Sequence, residues 1–94
     1  MVEYLYDAIR ASAGDNVSLG AVIPDATGDE DCVLRLYDDE RNEFFVADGF
    51  FDTENEYWGF TIPSEITSTL HGRYWYCICD RGVKLQFKQP IYFV

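Results

Sequence analysis

Apolar and polar residues alternate with a period of two along most of the chain, which is the pattern of strands that bury one face. The clearest run is Val17-Ser18-Leu19-Gly20-Ala21, and a later one places Trp58, Phe60 and Ile62 on one face. We predict about seven strands, over residues 2–11, 17–23, 32–37, 43–47, 57–62, 73–79 and 83–93.

Clusters of turn-forming residues separate these segments, at residues 24–31, 38–42 and 80–82. One short helical turn is predicted near 63–70, because Pro63 can start a helix and Gly72 follows its end. Short strands and frequent turns in a chain of this length predict an all-β fold. We expect an antiparallel β-sandwich in a single domain over residues 1–94, with a small open barrel as the alternative.

The sixth predicted strand carries the most specific local signal. Tyr74 follows a turn at Gly72. Immunoglobulin-like sandwiches place there a tyrosine whose hydroxyl bonds back to the chain, and we assign Tyr74 this corner role. If Tyr74 points inward, so do Tyr76 and Ile78. The opposite, outward row then consists of Arg73, Trp75, Cys77 and Cys79. Such a row is usually covered by a partner or by another part of the chain.

Three segments together resemble the small immunoglobulin-like domains of tailed-bacteriophage virion proteins: Gly49-Phe50-Phe51, residues 57–63, and Leu70-x-Gly72-x-Tyr74-x-Tyr76. The resemblance covers roughly residues 15–93. It implies an immunoglobulin-like sandwich and a non-enzymatic structural role in a phage particle, as a capsid decoration or accessory protein or as a small tail or baseplate component. It also implies location in the virion after synthesis in the host cytoplasm. The expected partners are a shell or tail protein, further copies of the chain, or both.

Charge is unevenly distributed along the 94 residues, which carry 17 acidic and 7 basic side chains and a net charge of −10. Residues 1–56 hold 15 of the acids and three bases, a balance of −12, whereas residues 57–94 have a balance of +2. This distribution argues against nucleic-acid binding through a broad basic face. No apolar run approaches the roughly 20 residues of a spanning helix, and the first residues show no signal-peptide pattern, so we expect no membrane association.

Few residues offer catalytic or metal-binding chemistry. His71 is the single histidine and lies on a predicted turn, with no serine or cysteine placed to pair with it. We therefore predict no enzyme, no cofactor and no metal site. The acidic loop of residues 25–31 has enough carboxylates for calcium, but its spacing matches no EF-hand, and we favour a solvated loop.

The three cysteines, Cys32, Cys77 and Cys79, are predicted to be reduced thiols that act as small apolar side chains. The alternative is a disulfide from Cys32 to Cys77 or Cys79 across a sheet. A zinc site would need His71 as its fourth ligand and lacks paired CxxC spacing.

The C-terminal half is predicted to carry the principal protein contact, because aromatic residues and arginine dominate binding hot spots. The candidate partner-binding residues are Arg73, Trp75, Lys84, Lys88 and Tyr92. The alternative function is an acidic inhibitor that mimics nucleic acid and blocks a basic host protein, which the charge of residues 1–56 favours.

Overall fold

The computed structural model describes residues 2–4, 8–23, 26–80, 83–84 and 89–94, and within these ranges it is an all-β fold of two sheets with one turn of helix. In chain order the elements are β1 (Glu3–Tyr4), β2 (Ile9–Ala11), β3 (Val17–Ala21), β4 (Cys32–Tyr37), β5 (Glu43–Asp48), β6 (Phe50–Asp52), β7 (Tyr57–Ile62), α1 (Ser64–Thr67), β8 (Gly72–Asp80), β9 (Val83–Lys84) and β10 (Gln89–Phe93).

The larger sheet has the strand order β1-β2-β10-β8-β4-β5, with β9 also paired to β8, and the smaller sheet has the order β3-β7-β6. All of the described strand pairs are antiparallel except β2 and β10, which run parallel with Ile9 opposite Ile91. The prediction of a purely antiparallel sandwich was wrong at this pair. Its strands lie near opposite ends of the chain, so no hairpin turn dictates their direction.

The core lies between the two sheets and consists of the inward members of each alternating run, as the sequence predicts. Leu34, Leu36 and Ile91 are fully buried on the larger sheet, and Val17 and Ile62 are fully buried on the smaller one. Their removal from water is the main stabilising contribution, at about 25 cal/mol per Å² of apolar surface.

Several element boundaries differ from the prediction. Residues 2–11 hold two short strands, β1 and β2, rather than one, and the helical turn is restricted to Ser64–Thr67. The short strand β6 was missed because the Asp48-Gly49 pair before it resembles a turn. The last predicted strand is present as β9 and β10, while residues 85–88 and the hairpin residues 81–82 lie outside the described part.

Gly49 carries the chain from the larger sheet to the smaller one. Its backbone N–H donates a hydrogen bond to the carbonyl oxygen of Cys32 at 2.9 Å, which draws the β5–β6 connection against the start of β4. The site of a β-carbon on Gly49 is occupied by Trp58 and Phe60 of the smaller sheet. A residue without a side chain is therefore needed where the sheets meet.

Candidate partner-binding surface

Strand β8 places the first residues of the predicted outward row on the outer face of the larger sheet. Arg73 is exposed and Trp75 is half-buried. Tyr92 of β10 lies opposite Arg73 and is 37% exposed. Lys84 lies opposite Cys79 on β9, and its side chain is outside the description, as is the whole of Lys88.

Arg10 extends this surface in a way that the sequence did not predict. It lies on β2 directly opposite Tyr92, and its side chain is exposed. Arg10, Tyr92 and Arg73 thus form a row across three adjacent strands. We call these three residues, with Trp75, the cross-strand patch.

Asp39 holds two members of the patch in place. Its Oδ1 accepts hydrogen bonds from Arg73 Nε at 3.0 Å and from Trp75 Nε1 at 3.3 Å. The guanidinium of Arg73 also lies 5.3 Å from the centroid of the Trp75 ring, within cation–π range. The hydrogen bond from Arg73 is the largest cause of the lowered pKa of Asp39.

The hairpin tip at residues 38–40 is acidic, whereas the face of β8 is basic and aromatic. Asp39 brings the two into contact, and a shallow cleft of about 430 Å³ lies between them, lined by Asp38, Asp39, Glu40, His71, Arg73 and Tyr74. A partner of this face would therefore encounter both charge signs.

The rest of the predicted outward row is not exposed. Cys77 and Cys79 are only 2% and 6% exposed, although both lie on the outer face of the sheet. Larger residues of β4 are their cross-strand neighbours, and the Tyr37 hydroxyl lies 3.7 Å from the sulfur of Cys77. The outward row was expected to be covered by a partner or by another part of the chain. At Cys77 and Cys79 the covering residues belong to the chain itself.

Tyr74 is partly buried and packs against the core on the inner face of β8. Its hydroxyl oxygen accepts a hydrogen bond from the backbone N–H of His71, three residues upstream, at 3.3 Å. Its ring meets those of Phe44 and Phe93 edge-on, with centroid distances of 5.6 and 5.9 Å. The ring contacts, which are worth about 0.5–1.5 kcal/mol per aromatic pair, hold Tyr74 more firmly than its exposed hydroxyl does.

The acidic loop before β4 is exposed to solvent, with Thr27, Asp29 and Asp31 exposed, and its hydrogen bonds converge on Glu30. The Glu30 carboxylate accepts hydrogen bonds from the backbone N–H groups of Thr27 and Gly28, from the Thr27 hydroxyl and from the indole N–H of Trp58. These bonds, led by the one from the Thr27 backbone, lower the pKa of Glu30 from 4.5 to about 2. Within the described ranges, no group of three or more His, Cys, Asp or Glu side chains is placed to hold a metal ion.

We expect Glu30 to make stability depend on pH. Because its pKa is lowered by folding, its contribution is complete above pH 4.5 and is lost as the pH falls toward about 2. The chemical-denaturation midpoints of the wild type and Glu30→Gln should therefore differ clearly at pH 7 and converge near pH 2. Glu65→Gln, at an exposed position on α1, is the control. An equal gap between wild type and Glu30→Gln at both pH values would contradict the assignment.

Acidic residues cluster at one end of the sandwich, where several strands begin or end. Strands β4, β5, β7 and β8 begin or finish there, as shown by the pairing of Cys32 with Asp80 and of Val33 with Asp48, and by the Trp58–Glu30 hydrogen bond. The carboxylates at this acidic end are those of Asp29, Glu30, Asp31, Asp48, Asp52, Glu54, Glu56 and Asp80.

Comparison with protein-family models, with curated proteins and with solved structures finds no match for this chain. Among the described residues, no helix has the length and apolar character needed to cross a membrane. The class that the fold itself defines is a small all-β domain of two facing sheets.

Proposed function

We propose that the chain is a non-enzymatic structural subunit of a bacteriophage particle, either a capsid decoration or accessory protein or a small tail or baseplate component. It acts through protein–protein contacts with a virion shell or tail protein, with copies of itself, or with both. The setting in a phage particle rests on the resemblance of residues 49–51, 57–63 and 70–76 to immunoglobulin-like domains of virion proteins.

The strand order supports an immunoglobulin-like arrangement. One sheet of a variable-type immunoglobulin domain centres on its third and sixth strands, with the last strand beside the sixth and an additional strand beside the third. The order β10-β8-β4-β5 corresponds to this sheet, and β3-β7-β6 corresponds to part of the opposite one. The backward hydrogen bond to Tyr74 is a second point in favour.

The observation that carries the proposed contact role is the cross-strand patch. Arginine, tryptophan and tyrosine are the residues most enriched at binding hot spots, and here they lie together on one sheet face. Asp39 already orients Arg73 and Trp75 through hydrogen bonds, so that less side-chain freedom is lost on binding.

The double variant Trp75→Ala/Tyr92→Ala tests the proposal. Particles of the encoding phage should contain the chain in a fixed ratio to the major shell protein, and purified chain should bind particles that lack it. The double variant should lose this binding, by at least about 100-fold in affinity if both residues are hot spots, while remaining folded by circular dichroism.

Phe50→Ala is the matched control, because Phe50 is an aromatic residue with 76% exposure on the smaller sheet. Asp29→Lys/Asp31→Lys tests the acidic end. Charge reversal at Asp39 would not distinguish binding through the cross-strand patch from binding through the acidic end, because Asp39 contacts Arg73 of the patch. Absence of the chain from particles would contradict the structural role, and normal binding by the double variant would contradict the assigned face.

A second candidate is the acidic inhibitor that mimics nucleic acid. The gathering of eight carboxylates at the acidic end favours it, since a compact acidic surface attracts the basic clefts of nucleic-acid-binding proteins. Under this alternative, Asp29→Lys/Asp31→Lys would abolish binding to a basic host protein and Trp75→Ala/Tyr92→Ala would leave it intact.

A further inference from the structure

Two thiols lie together on the outer face of the larger sheet. Cys77 and Cys79 are two residues apart on β8, and their sulfur atoms are 3.6 Å apart. Both side chains are buried. Cys32 belongs instead to the core cluster on the opposite face of the sheet. The position of Cys32 excludes the predicted alternative of a disulfide to Cys77 or Cys79 in this fold, since the side chains point to opposite faces.

Polar groups of the neighbouring strand β4 surround this thiol pair. The hydroxyl of Tyr37 lies 3.7 Å from the sulfur of Cys77, and Arg35 is the cross-strand neighbour of Cys77 on the same face of the sheet. Arg35 is also paired with Glu43, with an N–O distance of 2.6 Å, which fixes the guanidinium over this part of the sheet. The thiol pair therefore has on the neighbouring strand a hydroxyl group and an arginine whose charge is paired with Glu43.

We propose that Cys77 and Cys79 form a binding site for a soft monovalent metal ion, for which Cu(I) is the representative. On binding, each thiol releases its proton to solvent, and the two thiolate sulfurs bond to one Cu(I) ion without any change in its oxidation state. The complex carries one net negative charge, and Arg35 lies opposite Cys77 on the neighbouring strand.

The sulfur separation is close to, and shorter than, that of two thiolates on a shared ion. Two thiolates at about 2.3 Å from one ion lie about 4.0 Å apart in a trigonal arrangement and about 4.6 Å apart in a linear one. The observed 3.6 Å must therefore increase by about 0.4 to 1 Å on binding, through changes in the side-chain dihedral angles.

The ligand set selects the ion. A structural zinc site requires four protein ligands, and the described residues place no third His, Cys, Asp or Glu beside this pair. Soft thiolate ligands favour Cu(I), which accepts a lower coordination number. Calcium and magnesium are excluded, because they require oxygen ligands.

The test is an anaerobic titration of the full chain with Cu(I) in competition with a colorimetric Cu(I) chelator. Wild type should remove one Cu(I) per chain from the chelator, and Cys77→Ser and Cys79→Ser should each reduce this to none. Cys32→Ser is the matched control and should keep the full stoichiometry, because burial of Cys32 raises its pKa to about 11 and it lies on the other face.

X-ray absorption of the Cu(I)-loaded wild type provides a readout that does not depend on folding of the variants, and it should show two sulfur ligands. Failure of the wild type to compete would overturn the proposal. So would a copper environment with fewer than two sulfurs, or loss of binding in Cys32→Ser equal to that in Cys77→Ser. None of these results bears on the proposed structural role, since that role is tested at Trp75 and Tyr92.

Discussion

Replacing Gly49 with alanine should lower the free energy of unfolding by about 2–3 kcal/mol, which is the upper part of the range for overpacked cores. A β-carbon at this position would lie 2.7 Å from ring carbons of both Phe60 and Trp58. It would also lie 2.8 Å from the carbonyl oxygen of Cys32, a backbone atom that cannot rotate away. The two sheets would have to separate locally, and the change should be read from the urea midpoint.

Gly59→Ala is the matched control for this prediction. Gly59 lies in the middle of β7, where the nearest atom to a new β-carbon is the carbonyl oxygen of Phe50 at 3.7 Å, an ordinary contact. We expect the free energy of unfolding of Gly59→Ala to differ from that of the wild type by less than about 1 kcal/mol, since alanine also loses less backbone entropy on folding than glycine. Equal losses for Gly49→Ala and Gly59→Ala would show that the junction between the sheets tolerates a side chain.

Thr67→Val should destabilise the domain by about 1–3 kcal/mol, although valine has nearly the same shape as threonine. Thr67 is fully buried, and its hydroxyl donates a hydrogen bond to the carbonyl oxygen of Asp15 at 2.6 Å. This bond ties α1 to the segment that leads into β3. Valine would leave the partly buried Asp15 carbonyl without this donor.

Thr69→Val is the control, which tests whether the destabilisation depends on burial of the hydrogen bond or only on loss of a hydroxyl group. Thr69 also donates its hydroxyl to a backbone carbonyl, that of Ile66 at 2.8 Å, but the bond is exposed and water can replace it. The free energy of unfolding of Thr69→Val should remain within about 0.5 kcal/mol of the wild-type value. If Thr67→Val behaved like Thr69→Val, the Thr67 hydrogen bond would contribute little to stability.

Period-two alternation predicted the core well because burial of one strand face leaves a direct trace in the sequence. Val17, Leu34 and Ile62 are fully buried as the pattern requires. The same rule could not predict the parallel pairing of β2 and β10, since alternation says which face is buried but not which strand lies alongside. Strand β6 was missed because it follows the turn-like Asp48-Gly49 pair and its three residues are too few to show a period.

The candidate surface was predictable only along a single strand. Alternation separated Arg73 and Trp75 from Tyr74, but the contributions of Arg10 and Asp39 depend on contacts between distant parts of the chain. Asp39 is 34 residues from Arg73, and a charged hairpin tip looks the same in sequence whether it is solvated or bound to an arginine. The residues that cover Cys77 and Cys79 could not be predicted for the same reason, because they lie on β4.

The parallel pairing of β2 with β10 gives the domain a mechanical property. The pairing continues past β10, where the Val94 N–H donates to the Ala11 carbonyl at 2.9 Å and the Ala13 N–H donates to the Val94 carbonyl at 3.2 Å. A force that pulled β2 backward along its axis and β10 forward would load these hydrogen bonds simultaneously in shear. Antiparallel strands pulled from their open end would instead separate one bond at a time. A domain held between two neighbours would thus share tension across this whole seam.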